Sequence, residues 1–194
     1  MNQRGKDQFL WLDMEMTGLD PVTCVPLQVA LVVTNSNLEE LDQMEETIWQ
    51  PEAQLALMDP IVRTMHTENG LLTKVRSSPV GLQETEKKML RLISRWFAFG
   101  EAILAGNSIH QDRRFLAAYF PAVDRFLHYR MVDVSSLKEL VRRWYSSAAV
   151  YTKTKSNHTA LADVRESISE LQHYRKAIML PVSSTSSSVA QSPH

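Results

Sequence analysis

The sequence contains four acids and one histidine whose side chains together are suited to chemistry on phosphodiesters. They are Asp13, Glu15, Asp112, His158 and Asp163. Clustered carboxylates can hold a pair of divalent ions, and a neutral imidazole can take a proton from an attacking water. Whether these side chains can cooperate depends on the elements that carry them.

Asp13 and Glu15 lie in a segment that is otherwise apolar, Phe9–Met16, which is typical of a buried strand. Residues two apart in a strand share a face and lie roughly 6.5–7 Å apart. Two like charges among apolar neighbours are unfavourable unless a cation joins them. A metal ion would supply that cation, and so would an Arg or Lys partner; a strand end that reaches water is a third explanation.

Asp112 stands at the end of an apolar helical stripe. Residues three, four and seven positions further along, Phe115, Leu116 and Tyr119, continue the same face. An acid in that position needs a partner, which a metal ion could provide. The acid could also cap its own helix at the surface.

His158 and Asp163 lie five residues apart near the last predicted helix. Asp163 belongs to the early part of that helix and His158 to the polar loop before it. A histidine on such a loop is often only a surface residue, and an acid there can simply favour the helix N-terminus. Each of the five residues is a weak signal alone. Their combination, in this order along the chain, is what indicates a site for metal-dependent cleavage of phosphodiesters.

The remaining patterning predicts strands first, followed by alternating helices and strands. Three early strands with short links, Phe9–Met16, 26–35 and 44–50, indicate an antiparallel meander. The 3–4 spacing of apolar residues predicts the later helices, and Ser136 with Glu139 has the form of a capping box. Further helices are predicted at 84–99, 111–119, 136–145 and 160–178, and strands at 101–106 and 129–134. The expected fold is therefore α/β or α+β with a mixed sheet flanked by helices.

Composition limits the broad class of protein. A chain of 194 residues with 44% hydrophobic content fits one domain with its own core. A single cysteine, Cys24, excludes an internal disulfide and suits a reducing compartment. We find neither a signal peptide nor a membrane-length apolar run, so we expect a soluble, cytoplasmic protein with no membrane partner. We assign residues 7–180 to one domain and 181–194 to a disordered, Ser-rich tail.

The formal net charge of −1 constrains the substrate. Proteins that follow long nucleic acids through many phosphate contacts are usually basic. If this protein handles nucleic acid, it grips few phosphates and leaves much of their neutralisation to metal ions. A short substrate fits that better than a long one.

Extended runs of sequence give the chain a resemblance to a known family. It resembles the DEDD exonucleases of the histidine type, which have a ribonuclease H-like fold, and within them it closely resembles the oligoribonucleases. The resemblance covers roughly residues 8 to 180. The runs that carry it are WLDMEMTGLDP (11–21), QLALMD (54–59), GNSI (106–109), QDRRFL (111–116), HYR (128–130), DVSSLKEL (133–140) and DVRES (163–167).

The resemblance implies a role for each matching residue. Asp13, Glu15, Asp112 and Asp163 would hold two Mg²⁺ or Mn²⁺ ions, and His158 would be the general base. Family members trim very short RNA from its 3′ end, release nucleoside monophosphates and close a pocket around a dinucleotide. The corresponding pocket positions include Leu19, wedged at the bases, and His66. Ser108, Arg130 and Ser135 would lie near the 5′ phosphate, and Tyr129 would reach in from the other subunit of a homodimer.

One position departs from the family pattern. Members usually carry a tryptophan soon after the run that ends here at Asp59, whereas this chain continues Pro60, Ile61, Val62. If Ile61 holds that place, aromatic stacking on a base, worth about 1–3 kcal/mol, is replaced by an apolar contact.

Two alternatives to a dinucleotide-trimming exoribonuclease remain open. A related exonuclease could trim the 3′ ends of longer RNA or DNA, although the near-neutral chain has no basic stripe for an extended strand. A nucleotide-binding protein with a dead site is the other, but that would predict a lost ligand, and all five positions are filled.

Overall fold

A computed structural model describes residues 7–153 and 159–179. The first three strands, β1 (Phe9–Met16), β2 (Pro26–Thr34) and β3 (Glu40–Thr47), pair antiparallel in sequence order. The predicted meander is therefore confirmed, with the third strand beginning earlier than its apolar residues suggest. β3 alternates polar and apolar residues only weakly because it forms an edge of the sheet.

Two short strands complete a mixed sheet. β4 (Leu104–Gly106) runs parallel to β1, and β5 (Met131–Asp133) runs parallel to β4. The strand order is β3-β2-β1-β4-β5, so β1 is the central strand and β5 is the second edge. The pairing of β4 with β1 involves Leu10 and Trp11, so no strand within residues 7–153 and 159–179 pairs with the second half of β1 on that side.

Helices cover both faces of the sheet. The four predicted helices are confirmed, with ends shifted by up to three residues. Four short ones, α1 to α3 and α6, were not predicted because each is too brief to show a helical repeat. The helices are α1 (Glu52–Leu55), α2 (Pro60–Glu68), α3 (Leu71–Ser77), α4 (Leu82–Trp96), α5 (Ile109–Tyr119), α6 (Pro121–Phe126), α7 (Val134–Trp144) and α8 (Ala160–Ala177), with a 3₁₀ turn at Ser147–Ala149.

The start of α7 differs from the expected capping box. The helix begins at Val134, and its N-cap is Asp133, whose carboxylate accepts a hydrogen bond from the backbone of Ser135. Ser136 therefore lies inside the first turn. Since Asp133 also ends β5, strand and helix join without a loop, which the capping pattern alone could not show.

The side chains of β1 alternate between two cores. Leu10, Leu12 and Met14 pack with residues of α4 and α5, and Trp11 packs on the opposite face with residues of α7 and α8. α8 lies across β1 and β2. Burial on both faces explains why β1 reads as a continuous apolar run, in which two acids stand out. None of the helices in the described ranges has the length and apolar character needed to cross a membrane.

Candidate active site

Three carboxylates from distant parts of the chain meet beside the central strand. Asp13 and Glu15 project from the same face of β1, and Asp163 comes from the first turn of α8. Each offers a carboxylate oxygen, and these oxygens all lie within 4.8 Å of one another. The packing of α8 over β1 thus joins the first and last parts of the predicted site.

Asp112 approaches the cluster from α5. Its Oδ1 accepts a hydrogen bond of 3.0 Å from the backbone amide of Met14, the residue between Asp13 and Glu15. This amide lies beyond the point where β4 stops pairing with β1, so the carboxylate replaces a missing strand partner. Asp112 is buried, and the alternative of a surface helix cap is wrong.

Burial and mutual repulsion make this cluster unfavourable in its ionised form. Burial raises the pKa of Asp13 well above its ordinary value, and the charges of Asp112, Glu15 and Asp163 add to the effect. Burial, followed by the charges of Asp163 and Asp112, raises the pKa of Glu15 to about 7. Burial also raises the pKa of Asp112 to about 7, although the hydrogen bond from Met14 opposes the shift. A group of carboxylates of this kind is suited to bind cations.

A lysine ammonium already lies at the edge of the cluster. Lys153 Nζ is 2.8 Å from Asp163 Oδ1. Burial lowers the pKa of Lys153, but the hydrogen bond to Asp163 and the charges of nearby acids outweigh it and raise the pKa on balance. The sequence did not single out Lys153, since a lysine in a polar segment carries no distinguishing pattern.

His66 lies directly behind the cluster on α2. The residue is fully buried, its Nε2 is 3.1 Å from the backbone oxygen of Met16, and the same nitrogen is 3.9 Å from Glu15 Oε2. Burial lowers the pKa of His66, which favours a neutral ring. His66 therefore braces the end of β1, where the segment bearing Leu19 begins.

The two predicted phosphate-binding serines lie side by side. Ser108 precedes α5 and Ser135 lies in the first turn of α7, yet their hydroxyl oxygens are 3.2 Å apart. Parallel pairing of β4 with β5 brings the two helix starts to the same edge of the sheet. The structure thus brings together two residues that are 27 positions apart in sequence.

Tyr129 and Arg130 lie just before the edge strand β5 and are exposed. The guanidinium carbon of Arg130 is 4.8 Å from the centre of the Tyr129 ring, and that ring stacks on His128. Tyr129 is 70% exposed, which leaves its ring available to a second molecule.

Two apolar side chains are exposed at positions predicted to contact bases. Leu19 is 66% exposed and Ile61 is 81% exposed. Ile61 opens the first turn of α2, and its backbone amide donates to the capping carboxylate of Asp59. Neither side chain is part of the described cores, so both can contact a ligand.

His158 lies outside the described residues, as does the predicted tail 181–194. The next residue, Thr159, is the N-cap of α8, and its hydroxyl accepts a hydrogen bond from the backbone of Ala162. His158 therefore directly precedes, in sequence, the helix that carries Asp163.

Gln28 was assigned no role from the sequence, although it lies within the second strand. The side chain is buried in β2, its Oε1 accepts a hydrogen bond of 3.2 Å from the backbone of Ala160, and its Nε2 donates to Thr47. It thereby fixes the first turn of α8, which carries Asp163. A polar side chain within an otherwise apolar strand was the signal that could have revealed this.

Comparison with known proteins identifies the family of the chain. The RNase T exonuclease family matches residues 10–171. The chain is 44% identical over 172 residues to the oligoribonuclease of Hahella chejuensis, covering 88% of this chain and 94% of that one. It is 48% identical over 174 residues to the oligoribonuclease of Paracidovorax citrulli, covering 89% and 90%.

The chain belongs to the oligoribonuclease family of exonucleases. It is therefore a nuclease, a hydrolase of phosphodiester bonds. A further relative that aligns over most of its length is the oligoribonuclease of Vibrio cholerae, which is 44% identical to this chain over 170 residues.

Solved structures show the same fold. Exonuclease I of E. coli in complex with a dT13 oligonucleotide superimposes with a TM-score of 0.68 at 15% identity, covering 89% of this chain and 42% of that one. Exonuclease I from Methylocaldum szegediense gives 0.66 at 16% identity, covering 88% and 41%. This chain spans about two fifths of the length of those structures. The likeness confirms the predicted ribonuclease H-like exonuclease fold.

Proposed function

We propose that this oligoribonuclease-family protein is a 3′-to-5′ exoribonuclease that degrades very short oligoribonucleotides. Its preferred substrates are 5′-phosphorylated dinucleotides, which it converts to nucleoside monophosphates. The observation that carries the proposal is the carboxylate cluster of Asp13, Glu15 and Asp163, with oxygens within 4.8 Å of one another and Asp112 bonded to the strand amide between the first two.

The donor set fits two divalent cations. Oxygen ligands from carboxylates suit Mg²⁺ and Mn²⁺. Burial raises the pKa of Glu15 and of Asp112 to about 7, with the charges of other acids adding to the effect, so a bound cation would stabilise the ionised cluster. We assign Asp13, Glu15, Asp112 and Asp163 as the ligands. Bound ions of this kind stabilise charge on phosphate oxygens and lower the pKa of water.

We assign the general base to His158. Its position in sequence, next to the N-cap of α8 and five residues before Asp163, supports this role, together with the family pattern. A neutral imidazole that accepts the proton of an attacking water contributes about 10²–10⁴-fold in rate. We expect His158→Ala to lower kcat by about 10²-fold or more and to leave dinucleotide binding largely unchanged.

The substrate-binding residues divide between the two ends of a dinucleotide. Ser108, Ser135 and Arg130 are assigned to the 5′ phosphate, for which a guanidinium can supply two parallel hydrogen bonds. Leu19 is assigned to the bases. His66, which is buried behind the cluster, is assigned to the pocket through the end of β1 that it braces. The near-neutral charge of the chain favours few phosphate contacts, which is consistent with a short substrate.

We further propose a cytoplasmic homodimer in which Tyr129 completes the pocket of the other subunit. Beside Tyr129, three exposed apolar side chains support an interface on the β5–α7 side. Leu140 and Trp144 lie four residues apart on one face of α7, and Met131 lies on the neighbouring edge strand. Aromatic residues and methionine exposed together are typical of subunit contacts.

The proposal is tested by competition between two substrates in Mn²⁺. A 5′-phosphorylated dinucleotide and a seven-residue RNA with the same 3′ sequence are offered together to the full-length protein. We expect faster turnover of the dinucleotide, complete loss of activity in EDTA, and recovery on adding excess metal. Asp112→Ala should be folded but inactive, whereas Asp7→Ala, an exposed aspartate outside the cluster, should be fully active.

Equal or faster turnover of the longer RNA would instead favour a general 3′ exonuclease. Full activity of Asp112→Ala would overturn the assignment of the metal ligands.

A further inference from the structure

A continuous chain of hydrogen bonds connects the serine pair to α8. The amide nitrogen of Asn107 donates to Ser167 Oγ and to Glu170 Oε2, both at 3.0 Å. The amide oxygen of Asn107 accepts a hydrogen bond of 3.1 Å from Ser135 Oγ. One amide therefore spans the gap between α8 and the first turn of α7.

The serine pair depends on this support because Ser108 has an unusual backbone. Its φ of 49° is left-handed, a region that is uncommon for residues other than glycine, asparagine and aspartate. The backbone amide of Ser108 donates to Ser135 Oγ and to Asp133 Oδ1, both at 3.0 Å. A conformation of this kind persists only where its surroundings hold it in place.

Glu170 is the buried anchor of the chain. It is 2% exposed, and its Oε1 accepts a hydrogen bond of 2.8 Å from Tyr174 and forms an ion pair with Lys138 at 2.9 Å. With Asn107 on the other oxygen, the carboxylate contacts three donors. An ionised carboxylate, which only accepts, therefore turns the amide nitrogen of Asn107 toward itself and leaves the amide oxygen facing Ser135.

The same helix face also carries a carboxylate of the acidic cluster. Asp163, Ser167 and Glu170 follow one another at helical spacings of four and three residues. Ser167 Oγ donates to the backbone oxygen of Asp163 at 3.0 Å while accepting from Asn107. The serine pair is thus held against the helix that positions one of the cluster ligands.

We propose that Glu170 is a positioning residue that, through Asn107, fixes Ser108 and Ser135 relative to Asp163 and so sets the substrate length. This inference rests on the proposed function, in which the serines bind the terminal 5′ phosphate and the carboxylates serve the scissile one. In a dinucleotide those two phosphates are neighbours, and their separation must match that of the two protein groups. When the hydrogen bonds from Glu170 through Asn107 hold the serines at a fixed distance from Asp163, longer strands do not fit. When those hydrogen bonds are weakened, the selectivity for a dinucleotide is lost.

The test is kinetic and uses Glu170→Gln in the full-length protein. Glutamine keeps the shape but places its own NH₂ group against one of the three donors. We measure kcat and KM for a 5′-phosphorylated dinucleotide, its 5′-hydroxyl counterpart and a 5′-phosphorylated heptamer. We expect kcat/KM for the 5′-phosphorylated dinucleotide to fall about ten-fold, mainly because KM rises. This is the size of effect expected when one hydrogen bond to a charged group is lost. The kcat/KM for the 5′-hydroxyl dinucleotide should change less than about two-fold. The preference for the 5′-phosphorylated dinucleotide over the heptamer, expressed as the ratio of their kcat/KM values, should become smaller.

A double-mutant cycle separates positioning from general destabilisation. In a Ser135→Ala background, Glu170→Gln should have no further effect on the preference for the 5′ phosphate, since the connection is already cut. The Mn²⁺ affinity, measured by titration calorimetry without substrate, should equal that of the wild type. Glu139→Gln, an exposed helical glutamate, is the matched control and should behave as the wild type.

The outcomes test the proposed phosphate pocket and the role of Glu170 separately. A wild type that does not distinguish the two dinucleotides overturns the proposed phosphate pocket. A wild type that does distinguish them, with a Glu170→Gln variant that slows both equally, overturns the role of Glu170 alone. If Glu170→Gln does not fold, Asn107→Ser, too short to span Ser135 and Glu170, must show the same loss of preference, and its absence overturns the inference.

Discussion

The ammonium of Lys153 lies 2.8 Å from the carboxylate of Asp163, which also belongs to the acidic cluster. The ammonium of Lys153 therefore lies on one side of a site that we assign to two divalent ions. Because the ammonium and a metal ion would share the carboxylate of Asp163, we expect binding of metal there to weaken the contact with Lys153.

The first prediction concerns this competition. Lys153→Met should bind Mn²⁺ about 1.4- to 5-fold more tightly than the wild type, since the lysine is half-exposed and the pair is worth roughly 0.2–1 kcal/mol. Titration calorimetry without substrate measures this directly. Lys87→Met, which removes an exposed ammonium paired with Glu84, serves as the control and should leave affinity unchanged. Weaker binding by Lys153→Met would mean that the ammonium supports the metal site rather than competing for it.

The second prediction concerns the pH dependence of stability without metal. The pKa of Glu15 is raised to about 7 in the folded protein, so the folded state holds this proton more tightly than the unfolded state. Its contribution to stability is complete below about pH 4.5 and is lost as the pH rises through about 7. The loss is on the order of 3 kcal/mol.

Urea denaturation in EDTA at a series of pH values between 5 and 8 tests this. The wild type should lose stability across the range, and Glu15→Gln should show a flatter profile. A wild-type profile parallel to that of Glu15→Gln would contradict the raised pKa.

The third prediction concerns Gln28. Gln28→Ala should destabilise the protein by about 1–3 kcal/mol because the buried backbone amide of Ala160 loses its acceptor. It should also weaken Mn²⁺ binding, since Asp163 lies in the same helical turn. Gln83→Ala, at an exposed position on α4, should change neither property. Chemical denaturation and metal titration of the two variants decide the matter, and unaltered stability in Gln28→Ala would rule out the capping role.

The fourth prediction concerns the departure at Ile61. Its side chain is 81% exposed, so Ile61→Trp can be made without disturbing the core. If this position contacts a base, the indole should strengthen dinucleotide binding by about 1–3 kcal/mol through stacking. Binding to the inactive Asp112→Ala background isolates affinity from turnover. Leu41→Trp on β3 is the control, and equal affinities in both variants would remove Ile61 from the pocket.

The fifth prediction concerns subunit cooperation. Tyr129→Ala and Asp112→Ala should each be inactive alone, yet mixing them should restore part of the activity. In a mixed dimer one site would combine the Tyr129 of the Asp112→Ala chain with the carboxylates of the other chain. Sedimentation should show a dimer, and subunit exchange can be followed with labelled chains. Absence of recovery despite demonstrated exchange would count against a shared pocket.

The central part of the site could be predicted because its residues contrast with their surroundings. Asp13 and Glu15 are acids in a strand that is buried on both faces, so their burial and shared direction follow from the periodicity of two. Asp112 shows the limit of such patterns. The sequence also allowed Asp112 to be a helix cap at the surface. In the structure β4 ends before it reaches Met14, so the backbone amide of Met14 is free to donate to Asp112.

What could not be predicted depends on contacts between distant segments. Gln28 and Ala160 are 132 positions apart, and Asn107 and Glu170 are 63 apart, so no local spacing marks either pair. The start of α7 was misplaced because Ser136 and Glu139 satisfy a local capping rule. Asp133, fixed at the end of β5, provides the actual cap and also binds Ser108.

The two margins of the sheet restrict how copies of this chain can associate. β3 presents a row of charged side chains, among them Glu40, which is held in an ion pair with Arg165, and β5 offers only three residues. Charged or very short margins discourage strand addition between molecules. Association of this protein with itself should therefore proceed through side-chain packing rather than through a sheet that continues from one molecule into the next, and the chain should resist fibrillar aggregation at high concentration.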